Sequence, residues 1–90
     1  MSEPPPADLD TRRRRLMYRA THRGTFENDL ILGGFLRAHL DTLVDPDLGA
    51  LEALLEVPDP ELADWLTGRA PVAPEHDTPA LRRIRAAIAG

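Results

Sequence analysis

Proline and glycine divide the chain beyond residue 10 into five stretches, and each stretch carries apolar side chains at the spacing of an α-helix. The breaks fall at Gly24, Pro46, Pro60 and Gly68 and in the proline-rich run over residues 69–78. Alternation of apolar and polar residues never lasts long enough to predict a strand. The pattern therefore predicts an all-α fold, a compact five-helix bundle in which each helix buries one apolar side.

Ninety residues suffice for one domain around one core. We expect a single helical domain over residues 10–90, preceded by a disordered, proline-rich tail over residues 1–9. No apolar run approaches the roughly 18 residues of a membrane span. The N-terminal segment also lacks the apolar stretch of a signal peptide. The expected location is therefore cytoplasmic, with no membrane association.

The first two helices are predicted from their caps and spacing. Asp10 is expected to cap a helix that reaches about Ala20, and a second helix is expected over residues 26–41. The second helix is predicted to be the longest of the domain, because it contains the most residues and each residue adds about 1.5 Å. The side chains predicted to face the core are Leu9, Leu16, Met17 and Ala20 in the first helix and Leu30, Ile31, Gly34, Phe35 and Ala38 in the second.

The next two helix starts share one pattern. Asp45-Pro46-Asp47 and Asp59-Pro60-Glu61 each offer an aspartate as N-cap, a proline at the first helical position and an acid at the positive end of the helix dipole. They predict a third helix over residues 46–56 and a fourth over residues 60–67, which ends at Gly68. The predicted core residues are Leu48, Leu51, Leu54 and Leu55 in the third helix and Leu62, Trp65 and Leu66 in the fourth.

The last helix is expected to be capped by Thr78 and opened by Pro79. Its apolar stripe consists of Leu81, Ile84 and Ile88. The preceding residues 69–78 contain too many prolines for a helix, so we expect a surface loop there.

Acidic residues are concentrated in the middle of the chain. Residues 41–64 contain eight of them and no basic residue, and the whole chain has a formal charge of −4. This balance disfavours nucleic-acid binding, which depends on neutralising phosphates. The run Arg12 to Arg15 is the contrary signal, and three interpretations stay open: a solvated helix face, a partner-docking site, or contact with RNA or DNA. A small helical nucleic-acid-binding or regulatory interaction module using this run is thus the alternative function.

The sequence contains no recognisable catalytic or metal-binding constellation. His22, His39 and His76 are isolated, and cysteine and lysine are absent. Gly33-Gly34 falls inside the second helix and predicts close helix packing instead of a phosphate-binding loop. We therefore expect no metal site, no catalytic residue and no enzyme activity of the chain itself.

One short stretch combines unusual residues at a helix start. Arg23-Gly24-Thr25-Phe26-Glu27 contains a planar cation, a residue free to adopt positive φ and an acid near a helix N-terminus. In one interpretation it is only a turn, with a solvated Arg23. In the other it is a docking site, where Arg23 reaches a partner's carboxylate or carbonyl and Gly24 permits close backbone approach.

The run RLMYRATHRGTFENDLILGGFLRAHL, residues 15–40, resembles the flavinylation factors of succinate dehydrogenase. These small proteins are recognised by an Arg-Gly-x-x-Glu motif after a first helix with an Arg-Leu-x-Tyr-Arg-like stretch. The likeness continues through DPDLGALEALLEVPDPELADWLTG and APEHDTPALRRIR, so it covers residues 12–86 in order. Two positions depart from the family pattern: His22 stands where a second basic residue is common, and Thr25 replaces a frequent methionine.

The resemblance implies an assembly factor that binds the flavoprotein subunit of succinate dehydrogenase, with that of fumarate reductase as a second candidate partner. Such a factor promotes covalent attachment of FAD to a histidine of the subunit. The FAD belongs to the partner, so none is expected to bind this chain stably, and the free chain is expected to be a monomer. The partner-binding residues that the resemblance implies are Arg23, Gly24, Glu27, Tyr18, Arg19, Asn28 and Asp29.

Overall fold

Five α-helices and two short 3-10 helices account for most of residues 8–89, which are the residues that the computed structural model describes. The α-helices are α1 (Leu9–Thr21), α2 (Phe26–His39), α3 (Asp47–Leu54), α4 (Asp59–Thr67) and α5 (Pro79–Ala89), and the 3-10 helices are Leu40–Thr42 and Pro74–His76. No strand occurs within the described residues, so the predicted all-α bundle is confirmed. Of the tail predicted to be disordered, residues 1–7 lie outside the described part of the chain.

All five helices contribute side chains to one core, and α1 packs chiefly against α2 and also against α3. All seven side chains predicted to be buried in the third and fourth helices are in the core: Leu48, Leu51, Leu54, Leu55, Leu62, Trp65 and Leu66. Leu16 and Ala20 of α1 and Leu81 and Ile84 of α5 are also buried as predicted, whereas Leu9, the first residue of α1, is 36% exposed. Ile88 is instead 45% exposed, since it lies one turn beyond Ile84 near the end of α5.

The buried face of α2 differs from the predicted one. Of the predicted core residues, Leu30, Gly34 and Ala38 are exposed and Phe35 is buried. The buried face consists of Asn28, Leu32, Gly33, Phe35 and Leu36. Residues 30–36 are apolar on nearly every side, so spacing alone does not select a face. The rotation fits two contacts: Asn28 bonds to Asp59, and Gly33 approaches Thr21 so closely that an added Cβ would lie 3.0 Å from the threonine methyl group.

Two predicted N-caps are shifted. Asp8, not Asp10, caps α1, because its Oδ1 accepts a hydrogen bond from the backbone N–H of Thr11 at 2.8 Å. Asp59 is the first residue inside α4, which is preceded by Pro58, and its carboxylate points to another part of the chain. The aspartate of the Asp-Pro pattern therefore does not cap α4.

Other helix boundaries agree with the sequence to within two residues: α2 ends at His39 instead of residue 41, and α3 covers Asp47–Leu54 instead of residues 46–56. Thr78 caps α5, with its Oγ1 accepting a hydrogen bond from the backbone N–H of Leu81 at 3.2 Å. Gly68 ends α4 in the left-handed conformation, at φ +77°. At the start of α3, the Asp45 carboxylate accepts a hydrogen bond from the backbone N–H of Gly49 at 2.9 Å. Among the described residues, no helix has the length and apolar content needed to cross a bilayer.

Candidate functional site

Residues 22–25 form the turn between α1 and α2. The His22 ring stacks on the Tyr18 ring, 3.9 Å between centroids, and its Nδ1 donates to the Tyr18 carbonyl at 2.7 Å, which closes the end of α1. Gly24 adopts φ +89°, as the motif suggested, and a Cβ added there would meet nothing within 4 Å. The turn therefore presents bare, accessible backbone at Gly24.

Arg23 points into the protein, away from the exposed side of this turn. Only 12% of its side chain is exposed. Its Nη1 donates to the Leu55 carbonyl at 2.7 Å, its Nη2 to the Val57 carbonyl at 2.6 Å, and its Nε to the Asp59 carboxylate at 2.6 Å. Both interpretations of the sequence placed Arg23 at the surface, either in solvent or against a partner. In this chain its guanidinium instead joins the α1–α2 turn to the connection between α3 and α4.

Asn28 strengthens the same junction from α2. The side chain is fully buried, and its Nδ2 donates to both the backbone carbonyl and the carboxylate of Asp59 at 3.2 Å. Its Oδ1 has no hydrogen-bond partner within the described part of the chain, which costs free energy. The hydrogen bond from Arg23, with a smaller contribution from Asn28, holds the pKa of the Asp59 carboxyl below its usual range.

Apolar side chains on both sides of the turn face solvent. Phe26, Tyr18 and Leu30 are 82%, 64% and 59% exposed, which makes them the three most exposed large apolar residues of the described chain. Phe26 and Leu30 lie one helical turn apart and line a shallow groove together with Asp29. We refer to Tyr18, Gly24, Phe26, Glu27 and Leu30 as the α1–α2 surface.

Glu27 belongs to this surface and is only loosely held. Its carboxylate lies 4.0 Å from Nη2 of Arg69, at the end of α4, and nearly half of the side chain is exposed. At that distance and exposure the pair adds little to stability. The carboxylate is therefore accessible to a partner's donor group.

The seven predicted partner-binding residues fall into two groups. Tyr18, Gly24 and Glu27 lie on the α1–α2 surface. The other four have partners within the chain: Arg23 and Asn28 as described, Arg19 through an ion pair with Glu56 at 2.7 Å, and Asp29 through the backbone N–H of Arg23 at 3.3 Å.

Sequence reasoning missed Phe26 and Leu30. The sequence pattern gives no role to Phe26, although it stands inside the motif, and it predicts Leu30 to be in the core. The available signal was their spacing of four residues at the start of a helix, which places two apolar side chains on one face. That signal was weak, because the following residues are apolar as well.

The arginine run of α1 is not a uniform cationic face. Arg12 pairs with both Asp45 and Glu52, and Arg13 donates to the Leu43 carbonyl at 2.9 Å. Arg14 pairs with an aspartate on its own helix, one turn earlier. Two of the four guanidinium groups thus fasten α1 to the rest of the bundle.

The three histidines lie apart, and each has its ring against a different aromatic ring, stacked in the case of His22 and tilted in the other two. His22 contacts Tyr18, His39 contacts Phe35, and His76 contacts Trp65. In residues 8–89, no group of three potential metal ligands converges.

Known proteins match most of this chain. A family model described as "Flavinator of succinate dehydrogenase" matches residues 14–88, nearly the segment in which the sequence resemblance was found. A protein of Acetobacter pasteurianus named FAD assembly factor SdhE is 54% identical over 77 residues, which cover 86% of this chain and 71% of that protein. A protein of the same name from Ralstonia nicotianae is 41% identical over 81% of this chain and 76% of its own length.

A mitochondrial protein is also similar. Succinate dehydrogenase assembly factor 2 of Dictyostelium discoideum is 32% identical over 88% of this chain. The matched segment covers 56% of that relative, so the chain spans little more than half of the length of this mitochondrial protein. The similarity therefore extends from bacterial to mitochondrial proteins.

Proposed function

The chain belongs to the family of flavinators of succinate dehydrogenase, and on this basis we propose that it is an assembly factor for the flavoprotein subunit of that enzyme. It binds the subunit and promotes the covalent attachment of FAD. The relatives named FAD assembly factor and succinate dehydrogenase assembly factor support this proposal.

The structural observation that carries the proposal is the α1–α2 surface. Exposed aromatic and leucine side chains beside a bare glycine backbone provide apolar contact area and close approach. Glu27 adds an accessible carboxylate at the edge of this area. A protein partner suits such a surface better than a small molecule, because the grooves here are shallow and open.

The proposed role is to orient the partner's groups, with no chemical step on this chain. Covalent flavin attachment requires the flavin and the acceptor side chain to be held in reactive geometry, and a rigid bundle that fixes a mobile segment of the partner supplies such orientation. We therefore propose that the chain is not an enzyme.

We also propose that FAD stays with the partner. Gly33 and Gly34 lie inside α2, where Gly33 packs against Thr21, so they do not form a loop that could hold a pyrophosphate. Micromolar affinity of the purified chain for FAD, measured by fluorescence titration, would contradict this part of the proposal.

Truncating the exposed apolar side chains tests the proposed function. The flavoprotein subunit is co-expressed with wild-type chain, Phe26→Ala or Leu30→Ala, and covalent FAD is read from flavin fluorescence of the subunit in a denaturing gel. Both variants should lower covalent FAD, while their free energy of unfolding stays within about 0.5 kcal/mol of wild type because exposed side chains contribute little to stability.

Val44→Ala is the matched control. Val44 is also an exposed apolar residue, but it lies beyond the opposite end of α2. The control should leave covalent FAD unchanged. If the wild-type chain gives no more covalent FAD than its absence does, the proposed function is wrong.

Three finer points belong to the proposal as well. The flavoprotein subunit of fumarate reductase is the second candidate partner, and co-expression with it under the same readout tests that choice. The free chain is proposed to be a monomer, which sedimentation velocity checks. The cytoplasm is proposed as its location, which fractionation of cells producing the chain checks.

A further inference from the structure

We propose, building on the function above, that Arg23 is a positioning residue: it acts on flavinylation by fixing the shape of the α1–α2 turn and does not contact the flavoprotein. It would do so by tying residues 22–25 to residues 55–59. The Arg-Gly-x-x-Glu motif would thereby divide into an inward-facing arginine and an outward-facing remainder.

The hydrogen bonds that Arg23 makes within the chain leave few of its donor groups available to a partner. All three guanidinium nitrogens donate within the chain at 2.6 to 2.7 Å, and the side chain is largely buried. Reaching a partner would require breaking these bonds. The Leu55 and Val57 carbonyls and the Asp59 carboxylate would then lose their donor, at a free-energy cost for each group.

The acceptors also explain why an arginine lies at this position. Leu55 caps the C-terminal end of α3, where the last carbonyls lack intrahelical donors and the helix dipole is negative. Asp59 is the first residue of α4. One planar guanidinium thus serves the end of one helix and the start of the next, which a lysine ammonium on a flexible stem cannot do with the same geometry.

The consequence for the turn follows from its neighbours in sequence. Gly24 comes directly after Arg23, and the Arg23 backbone N–H donates to Asp29 on the first turn of α2. Arg23 is therefore held both by its backbone and by its side chain. This arrangement sets the direction in which Gly24, Phe26 and Glu27 face the partner.

Side-chain NMR of the wild-type chain tests the proposal directly. Perdeuterated chain with ¹⁵N-labelled backbone and arginine side chains is titrated with unlabelled flavoprotein subunit, and the Nε–H signals are followed. The Gly24 and Glu27 backbone signals should shift on binding. The Arg23 Nε–H signal should shift no more than that of Arg12, a control guanidinium engaged with Asp45 and Glu52 on the α1–α3 junction.

The result that overturns the proposal is an Arg23 Nε–H shift as large as those of Gly24 and Glu27. Absence of any shift at all would mean that no complex forms, and in that case the proposed function fails together with this inference. The two failures are thus distinguishable within one titration.

A conservative variant provides the second measurement. Arg23→Lys keeps the positive charge but loses the planar guanidinium, so the α1–α2 turn should be misplaced. The dissociation constant of this variant for the flavoprotein should therefore rise about tenfold or more. Arg82→Lys is the matched control, because Arg82 is also paired with an aspartate but lies on α5. Unchanged affinity of folded Arg23→Lys would overturn the positioning role.

Discussion

Arg23 and Gly24 are adjacent, yet they lie in opposite environments. The positive φ of Gly24 could be predicted, because an Arg-Gly pair between two helical patterns indicates a turn that only glycine forms without strain. The burial of Arg23 could not be predicted, since its acceptors lie 32 to 36 positions further along the chain. A local pattern contains no information about such partners.

A stability measurement can separate the two roles of Gly24. Gly24→Ala should cost about 1 kcal/mol of unfolding free energy, because alanine is strained at φ +89° although space for its methyl group is available. Gly24→Arg should cost a similar amount, yet it should remove most covalent FAD, because the long side chain occupies the place of the partner's backbone. Chemical denaturation and the gel assay measure the two effects.

Gly68 offers a matched control for that comparison. It also adopts positive φ, at the end of α4, and an added Cβ would meet only the tip of a flexible arginine. Gly68→Ala should therefore lose similar stability and keep covalent FAD. Equal loss of covalent FAD in Gly24→Arg and Gly68→Ala would indicate that destabilisation alone explains the effect.

Caps and spacing predict the bounds of the helices better than they predict which face of a helix is buried. The starts of α4 and α5 and the glycine stop of α4 were located to within a residue, because proline, threonine and glycine act there through local backbone geometry. The face of α2 was predicted wrongly, because its apolar residues surround the axis and the deciding contacts come from Thr21 and Asp59. Helix existence was thus a local property, whereas helix rotation depended on the assembled bundle.

The start of α4 also gives the bundle a dependence on pH. The pKa of Asp59 is lowered in the folded chain, chiefly by the hydrogen bond from Arg23, relative to an unfolded value of about 3.9. Its contribution to stability is therefore fully present above about pH 5 and is lost as the pH falls through the lower folded pKa. We expect the stability difference between wild type and Asp59→Asn to shrink as the pH is lowered from about 5 to 2.5.

The comparison of wild type with Asp59→Asn isolates the contribution of Asp59. Asp8, Asp45 and Asp77 also have lowered pKa values, but they are present in both proteins, so their contributions cancel in the difference. Thermal unfolding followed by circular dichroism at several pH values gives the two curves. A stability difference that stays constant down to pH 2.5 would show that the Arg23–Asp59 bond does not contribute in this way.

In the bundle as a whole, the burial of one aromatic side chain makes a large contribution to the free energy of unfolding. Trp65 is almost fully buried, and its ring lies against that of His76, which ends the second 3-10 helix between α4 and α5. Trp65→Ala should cost about 3 to 5 kcal/mol through lost burial and the remaining cavity. For a chain of this length the total is roughly 5 to 13 kcal/mol, so the variant should lose about a quarter of its stability or more.

Denaturation followed by circular dichroism measures this loss, since the variant has no tryptophan to report by fluorescence. Phe26→Ala is the matched control, an aromatic truncation at a highly exposed site, and should unfold near the wild-type midpoint. Similar midpoints for both variants would contradict the assignment of Trp65 to the core. This core position was predictable, because the residue continues a leucine stripe at helical spacing.

The link between the α1–α2 turn and residues 55–59 has a consequence for genetics. Loss-of-function substitutions should cluster in two separate stretches of the sequence, one at the motif and one at Asp59, whose carboxylate accepts from Arg23. If every position where substitution abolishes function were taken to contact the flavoprotein, the second stretch would be assigned to the interface. The interface inferred in this way would be larger than the real one.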